Sequence, residues 1–281
     1  MSIPSRLGKG LLALCATILI GGASLADEFP ADSTMHRLAE AGKVRIGVKF
    51  DQPLFGLRNL RGKPEGFDIR IGTLIAEALG LDKDDIVWVE TTSANREAFI
   101  QQNKVDMVIA TFAISPKRKE VVTFAGPYII TGQDLLVRKG NPLGITGPDD
   151  MAGRKLCVIN GSEGRNVISR NYPKAIQVGF DAFSKCAEAV KNGSVDAATL
   201  SAAVMMGYVS KEPDAFELVG KRFTDEPWGV GVTKGDLPFC EFIEGTLRQA
   251  AADGRYEKAY QETVGKYAKD NPPLPPLDPC S

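Results

Sequence analysis

Histidine is nearly missing from this chain: His36 is the single one among 281 residues. That count excludes metal centres built on several imidazoles, such as the common catalytic zinc sites. A Ser-His-Asp triad would have to rest on His36 alone, close to the start of the chain. An excess of positive charge is missing too. Lys and Arg number 34 against 35 Asp and Glu, a formal net charge of −1, so there is no support for a nucleic-acid partner, which needs a basic surface to displace counterions. Beyond residue 23 no segment is long and apolar enough to span a membrane. No Cys-x-x-Cys spacing occurs, and neither a metal site nor a cofactor is expected. What remains is 43% hydrophobic and 25% charged, enough to bury a core, with a length that suits one large domain or two ordinary ones.

The first residues read as an export signal. Arg6 and Lys9 form a short basic region, Leu11 to Ala23 is nearly all apolar or small, and Ser24-Leu25-Ala26 fits a small-x-small cleavage pattern ahead of Asp27 and Glu28. Cleavage after Ala26 leaves 255 residues with a net charge of −3, those of an exported protein. Cys15 leaves with the signal. Leu14 precedes it where a lipid-anchored cysteine would have a small residue. Four cysteines stay, and an even number in an exported chain points to disulfides. Three pairings are open. Cys157–Cys186 with Cys240–Cys280 is favoured because each closes a local loop, the second pinning the Pro-rich tail 272–276 to the preceding helix.

Hydrophobic periodicity gives an α/β order. Lys43–Phe50 alternates as a half-buried strand, and Ile69–Leu79 has helical spacing ended by Gly80. Ile86–Glu90 is a second strand, Ser93 opens a helix, and Val105–Thr111 is a third, more uniformly apolar strand, so a parallel sheet is expected. The pattern restarts with Asp134–Arg138, a helical turn at 148–152, Leu156–Ile159, a helix through Ile168, Ala175–Phe180, a helix over Asp181–Lys191, and Asp196–Leu200. Helices over Pro238–Asp253 and Tyr256–Lys269 close the chain. This predicts two lobes, one from 27–132 with 227–281 and one from 133–226, joined near Gly132–Asp134 and near Pro227–Gly229. Two connecting segments let such lobes hinge about a cleft. Ligands sit beyond the carboxyl ends of the strands, where this chain carries Lys49, Asp51, Ser93, Thr111, Ser162 and Ser201.

Gly66-Phe67-Asp68-Ile69, Val105-Asp106-Met107-Val108, Ser115-Pro116-Lys117-Arg118 and Phe124-Ala125-Gly126-Pro127-Tyr128 together resemble the family 3 extracellular solute-binding proteins, the periplasmic amino-acid-binding proteins of ABC importers. Thr91–Arg96, Lys49–Pro53 and the placement of Cys157 and Cys186 look most like the glutamate/aspartate binders. The resemblance implies the type II two-lobed fold, no cofactor, an acidic amino acid as ligand, ABC permease subunits as partners, and a monomer. It gives Arg118 the ligand α-carboxylate, for which a planar guanidinium fork is suited, with help from the Thr111 hydroxyl and the Ser162 amide. It gives Arg96 the side-chain carboxylate, assisted by Lys49 and Ser93. Alone, Arg118 within Lys117-Arg118-Lys119 would be an ordinary exposed basic residue.

Two positions depart from that pattern. Ala113 stands where the family has Ser or Thr, and Ser201 stands where it has the aspartate that pairs with the ligand ammonium. Since a buried ammonium needs an acid, Glu163 or Asp51 is expected to replace it. Two other readings use the same departures. A dicarboxylate binder would need no amine partner, and a cyclohexadienyl-dehydratase-like enzyme would use Glu163 as its acid.

Overall fold

The structure is a computed structural model and describes residues 25–268 and 271–280; the signal-peptide reading over 1–24 lies outside the described residues. Ser33 caps the first helix, α1 (Thr34–Ala41), by accepting the His36 amide. Strand β1 (Val44–Val48) follows. Three short strands, β2 (Asp51–Gln52), β3 (Gly56–Arg58) and β4 (Pro64–Glu65), then form a small sheet of their own. Helix α2 (Phe67–Ala78), β5 (Ile86–Glu90), α3 (Arg96–Gln101) and β6 (Met107–Val108) complete the first run, and one helical turn, α4 (Pro116–Lys119), leads to the long β7 (Val122–Thr131). The chain passes through Gly132 directly into β8 (Gln133–Arg138) and the second unit: β9 (Lys155–Ile159), α5 (Glu163–Asn171), β10 (Ile176–Phe180), α6 (Phe183–Lys191), β11 (Ala197–Ser201), α7 (Ala202–Lys211) and β12 (Phe216–Leu218). It returns through β13 (Glu226–Thr233) and ends in α8 (Leu237–Ala252), α9 (Arg255–Gln261) and a 3₁₀ turn at Val264–Lys266.

Each lobe has a five-stranded sheet of the same plan. The orders are β5-β1-β6-β13-β7 and β10-β9-β11-β8-β12. In each, three strands are parallel and the other pairings are antiparallel. The sheets are therefore mixed, not wholly parallel as the strand-helix alternation suggested. The antiparallel strands are those that carry the chain between lobes, and such neighbours need no helical crossover. Other local differences have similar causes. β1 is buried nearly throughout, with Val44, Ile46 and Val48 at 0% exposure, because it is an interior strand of the sheet and packs against α2. The third strand is only Met107–Val108, and the expected run to Thr111 is broken there by a left-handed conformation (φ 48°). The last helix stops at Gln261, short of the expected Lys269, which lies outside the described residues. The return between lobes lies over 219–225, a few residues before the expected Pro227–Gly229, because β13 begins at Glu226 opposite Thr131.

At the crossing the two segments nearly touch. A Cβ at Gly132 would lie 1.9 Å from the Thr224 carbonyl oxygen, so only glycine fits. The Gln133 amide donates to Thr224 Oγ1 (2.8 Å) and the Phe223 amide to the Gln133 carbonyl (2.9 Å). Disulfides join Cys157 to Cys186 and Cys240 to Cys280, across 29 and 40 residues. In the chain-entropy treatment each contributes about 4 kcal/mol. Cys240, Glu244 and Cys280 sit within metal-ligand reach of one another, but the two sulfurs are bonded to each other. Among the described residues no helix is long and apolar enough to cross a membrane.

Candidate functional site

Two arginines define the site. Arg96 is the first residue of α3 and Arg118 lies in α4; they are 2% and 6% exposed. Both guanidinium groups lie against the Phe112 ring, at 4.1 and 5.2 Å from its centre, an arrangement attractive to cations. Arg96 Nη1 donates to the carbonyls of Ala110 (2.9 Å) and Thr111 (3.4 Å), while its buried Nε has no partner among the described residues. Burial, with the Arg118 charge beside it, lowers the Arg96 pKa to about 9. Arg118 is more fully occupied. Its Nε meets Glu97 Oε1 (3.1 Å), Nη1 meets the Ala113 carbonyl (2.8 Å), and Nη2 crosses to the Gly161 carbonyl of the second lobe (3.0 Å). At Gly161 (φ 73°) a Cβ would lie 2.6 Å from Ala94 Cα, so the lobes can meet there only through glycine. Ala113, whose side chain offers no hydroxyl, thus contributes through its backbone.

Lys49 follows β1 and is 3% exposed, its Nζ donating to Ser93 Oγ (3.0 Å). Burial, then the Arg96 charge, lowers its pKa to about 7. Ser93 does not open the helix as its sequence position suggested. The helix starts three residues later behind Asn95, whose Oδ1 accepts the Thr92 amide (2.9 Å), and Ser93 is left to receive Lys49. Thr111 gives its hydroxyl to Gln52 Oε1 (3.0 Å) and its amide to Asp68 Oδ2 (2.9 Å). Asp68 also accepts the Tyr128 hydroxyl (2.8 Å), and burial raises its pKa to about 7. A non-glycine residue held at positive φ costs about 1 kcal/mol or more, so these bonds hold Thr111 in place.

The second lobe presents Ser162 and Ser201. Ser162 caps α5, its Oγ accepting the Arg165 amide (3.1 Å), while its own amide is turned to the Ile159 carbonyl (3.1 Å). Glu163 lies beside it, but its carboxylate pairs with Arg170 (3.2 Å) and Asn166 (3.1 Å) of its own helix. Asp51 is engaged elsewhere. Ala182, at the N-cap of α6, has no side-chain oxygen, and Asp51 Oδ2 supplies one from the other lobe, accepting the Phe183 amide at 2.7 Å. The Tyr208 hydroxyl closes the same contact on the Asp51 carbonyl. Ser201, 3% exposed, donates to Glu226 Oε2 at 2.9 Å.

Four buried residues near this cluster carried no role at the sequence level. Asp68 sits inside the Gly66-Phe67-Asp68 motif, where a buried acid at a helix start is a readable signal. Gln52, Gln133 and Glu226 gave none. Gln133 Nε2 donates to Glu226 Oε1 (2.9 Å), and Thr199 Oγ1 donates to Gln133 Oε1 (2.8 Å).

The profile of bacterial extracellular solute-binding proteins, family 3, matches residues 44–266. The chain belongs to this family. It is 36% identical over 236 residues to the glutamate-binding protein GluB of Corynebacterium efficiens, covering 81% of this chain and 80% of that one. It is 33% identical over 270 residues to the glutamine-binding protein GlnH of Bacillus subtilis, covering 93% and 96%. Among solved structures it resembles the solute receptor for L-cysteine of Neisseria gonorrhoeae, with a TM-score of 0.79 and 29% identity over 84% of this chain and 95% of that chain. It also resembles an ancestral amino-acid-binding protein described as a precursor of cyclohexadienyl dehydratase, with a TM-score of 0.76 and 29% identity over 83% and 100%. The two-lobed fold is thus that of the type II periplasmic amino-acid-binding proteins. An extracellular family also agrees with an export signal at the start of the chain.

Proposed function

We propose that this protein is the periplasmic component of an ABC importer that captures an acidic amino acid, glutamate or aspartate, and delivers it to membrane permease subunits. One observation carries the choice of an acidic ligand: Lys49, Arg96 and Arg118 are buried together, and Arg96 keeps an unsatisfied donor there. A buried guanidinium with an open N–H is costly, and a carboxylate is the group that best takes it. In this reading Arg118 and Thr111 take the α-carboxylate, with Ser162 facing them from the second lobe. Arg96, Lys49 and Ser93 take the side-chain carboxylate.

Lobe 1 is 27–132 with the chain from β13 onward, and lobe 2 runs from 133 to the return segment 219–225. Closure is favoured because ligand contacts come from both lobes, and because Asp51 and Arg118 already make bonds across the cleft. The protein works as a monomer, exported and cleaved after Ala26, and performs no catalysis. Glu163, the acid a dehydratase-like reaction would use, is tied to Arg170 and Asn166 instead.

The test is a thermal-shift panel of amino acids and dicarboxylates. A ligand at a hundred times its Kd stabilises by about 2.7 kcal/mol and raises Tm by about 5–10 °C for a chain of this size. Glutamate or aspartate should give that shift. A shift with arginine or cysteine and none with either acidic amino acid would overturn the proposal.

A further inference from the structure

An amino-acid ligand brings an ammonium as well as carboxylates, and a buried ammonium needs an acid. Five carboxylates lie around the cationic cluster. Asp51 is bound to the α6 amides, Asp68 to Thr111 and Tyr128, Glu97 to Arg118, and Glu163 to Arg170. Glu226 stands beside Ser201, the position that lacks its acid. It is 4% exposed and accepts from Gln133 Nε2 (2.9 Å) and Ser201 Oγ (2.9 Å), both neutral. Asp51 and Asp68 also have neutral donors, but theirs hold a helix end and the Thr111 backbone in place. Each Glu226 carboxylate oxygen accepts one bond here and has a lone pair left.

The neighbouring groups fix Glu226 as an acceptor. Thr199 donates to the Gln133 carbonyl oxygen, which turns the Gln133 amide nitrogen toward Glu226. Ser201 donates from the other side. Burial raises the Glu226 pKa above the ordinary carboxylate range, with the Glu163 charge adding to it; the Gln133 and Ser201 donors and the Arg118 charge pull the other way, toward the ionised form. The result is a buried carboxylate at the crossing between lobes, aligned by two residues of lobe 2, within the electrostatic reach of Arg118 and Arg96, and with no cation bonded to it among the described residues.

We propose that Glu226 receives the α-ammonium of the ligand, with Ser201 and Gln133 holding its carboxylate in position. This rests on the amino-acid reading above and deepens it. Arg118 and Glu226 then bracket the two charges of an α-amino acid, and the acid missing at position 201 is supplied from β13. Because Glu226 begins the return strand while its holders sit in lobe 2, ammonium capture and lobe position become linked.

The test is calorimetry on the mature full chain with L-glutamate and with glutarate, which has both carboxylates and no amine. The native protein should prefer glutamate. E226Q should weaken glutamate at least about 30-fold, the loss expected when a buried charge loses its partner, while the gap between glutamate and glutarate collapses. Adding S201D to E226Q moves a carboxylate to the neighbouring position and should recover glutamate binding at least tenfold. The proposal is overturned if E226Q binds glutamate within threefold of the native protein. It is also overturned if E226Q, with native Tm, loses glutamate and glutarate in equal proportion. Native protein that binds glutarate as well as glutamate would instead refute the amino-acid reading itself, so the two failures are distinguishable. Run with L-glutamine and its des-amino counterpart, the comparison isolates the ammonium from the choice of side chain.

Discussion

Lys49 should take up a proton when an acidic ligand binds. Its ammonium is buried beside Arg96, which lowers its pKa to about 7, so in the free protein at pH 8 it is about 90% neutral. A ligand carboxylate placed against it reverses the main penalty and returns the pKa toward its ordinary value near 10.5. Binding at pH 8 then absorbs about 0.9 proton, and at pH 6 about 0.1. The sign follows: the free state binds fewer protons than the complex, so affinity falls as pH rises through 7. The drop between pH 6 and pH 8 is about tenfold, or about 1.4 kcal/mol. Asp51, Asp68 and Glu97 also act on Lys49. Asp68, raised to about 7, would be pushed further up by the ligand and add uptake of the same sign. K49M isolates the lysine component and D68N the other. The assay is calorimetry at pH 8 in two buffers of different ionisation enthalpy. Equal apparent enthalpies in both buffers, or uptake unchanged in K49M, would refute the reasoning.

Two further perturbations follow from the same geometry. R96M removes a buried charge with an open donor, so the free protein should keep or raise its Tm while glutamate affinity falls by about 2–5 kcal/mol, at least thirtyfold. R96K should not restore it, because an ammonium lacks the fork; restored binding in R96K would argue against a two-point grip. D51A removes the cap that lobe 1 supplies to α6, worth about 1 kcal/mol, and should shift the open–closed balance about fivefold toward open. An unchanged radius of gyration and ligand affinity in D51A would show that this contact does not favour closure.

The cations were legible in sequence because each sits inside a recognisable local segment: Arg96 after Thr91-Thr92-Ser93, Arg118 after Ser115-Pro116. The disulfide partners could be paired by loop locality. The role of Asp51 could not be read, since it depends on Ala182, 131 positions away, leaving an uncapped helix end across the cleft. Glu226 was hidden for the same kind of reason. Its neighbours Gln133 and Ser201 reach it only through the pairing of β13 with β7 and of β11 with β8, and register between distant antiparallel strands leaves no local periodic signal. Thr111 shows a third cause. A run of apolar residues reads as a strand, but the chain breaks it with a positive φ that is stabilised by Asp68, 43 positions earlier.

The balance of charge within the cleft separates the two kinds of relative this chain resembles. Lys49 and Asp68, both brought to about 7, change charge near neutrality within it. A glutamate carries one net negative charge and two carboxylates; a glutamine carries the same α-groups and a neutral amide. Only the first gives Lys49 a reason to become charged. Binding of glutamate should therefore absorb close to one proton at pH 8, and binding of glutamine much less, at the same Arg118 and Glu226 contacts. If glutamine bound with the same proton uptake as glutamate, the proton would have to enter near the α-groups. Lys49 would then have no part in choosing the side chain, and Arg96 alone would remain to make that choice.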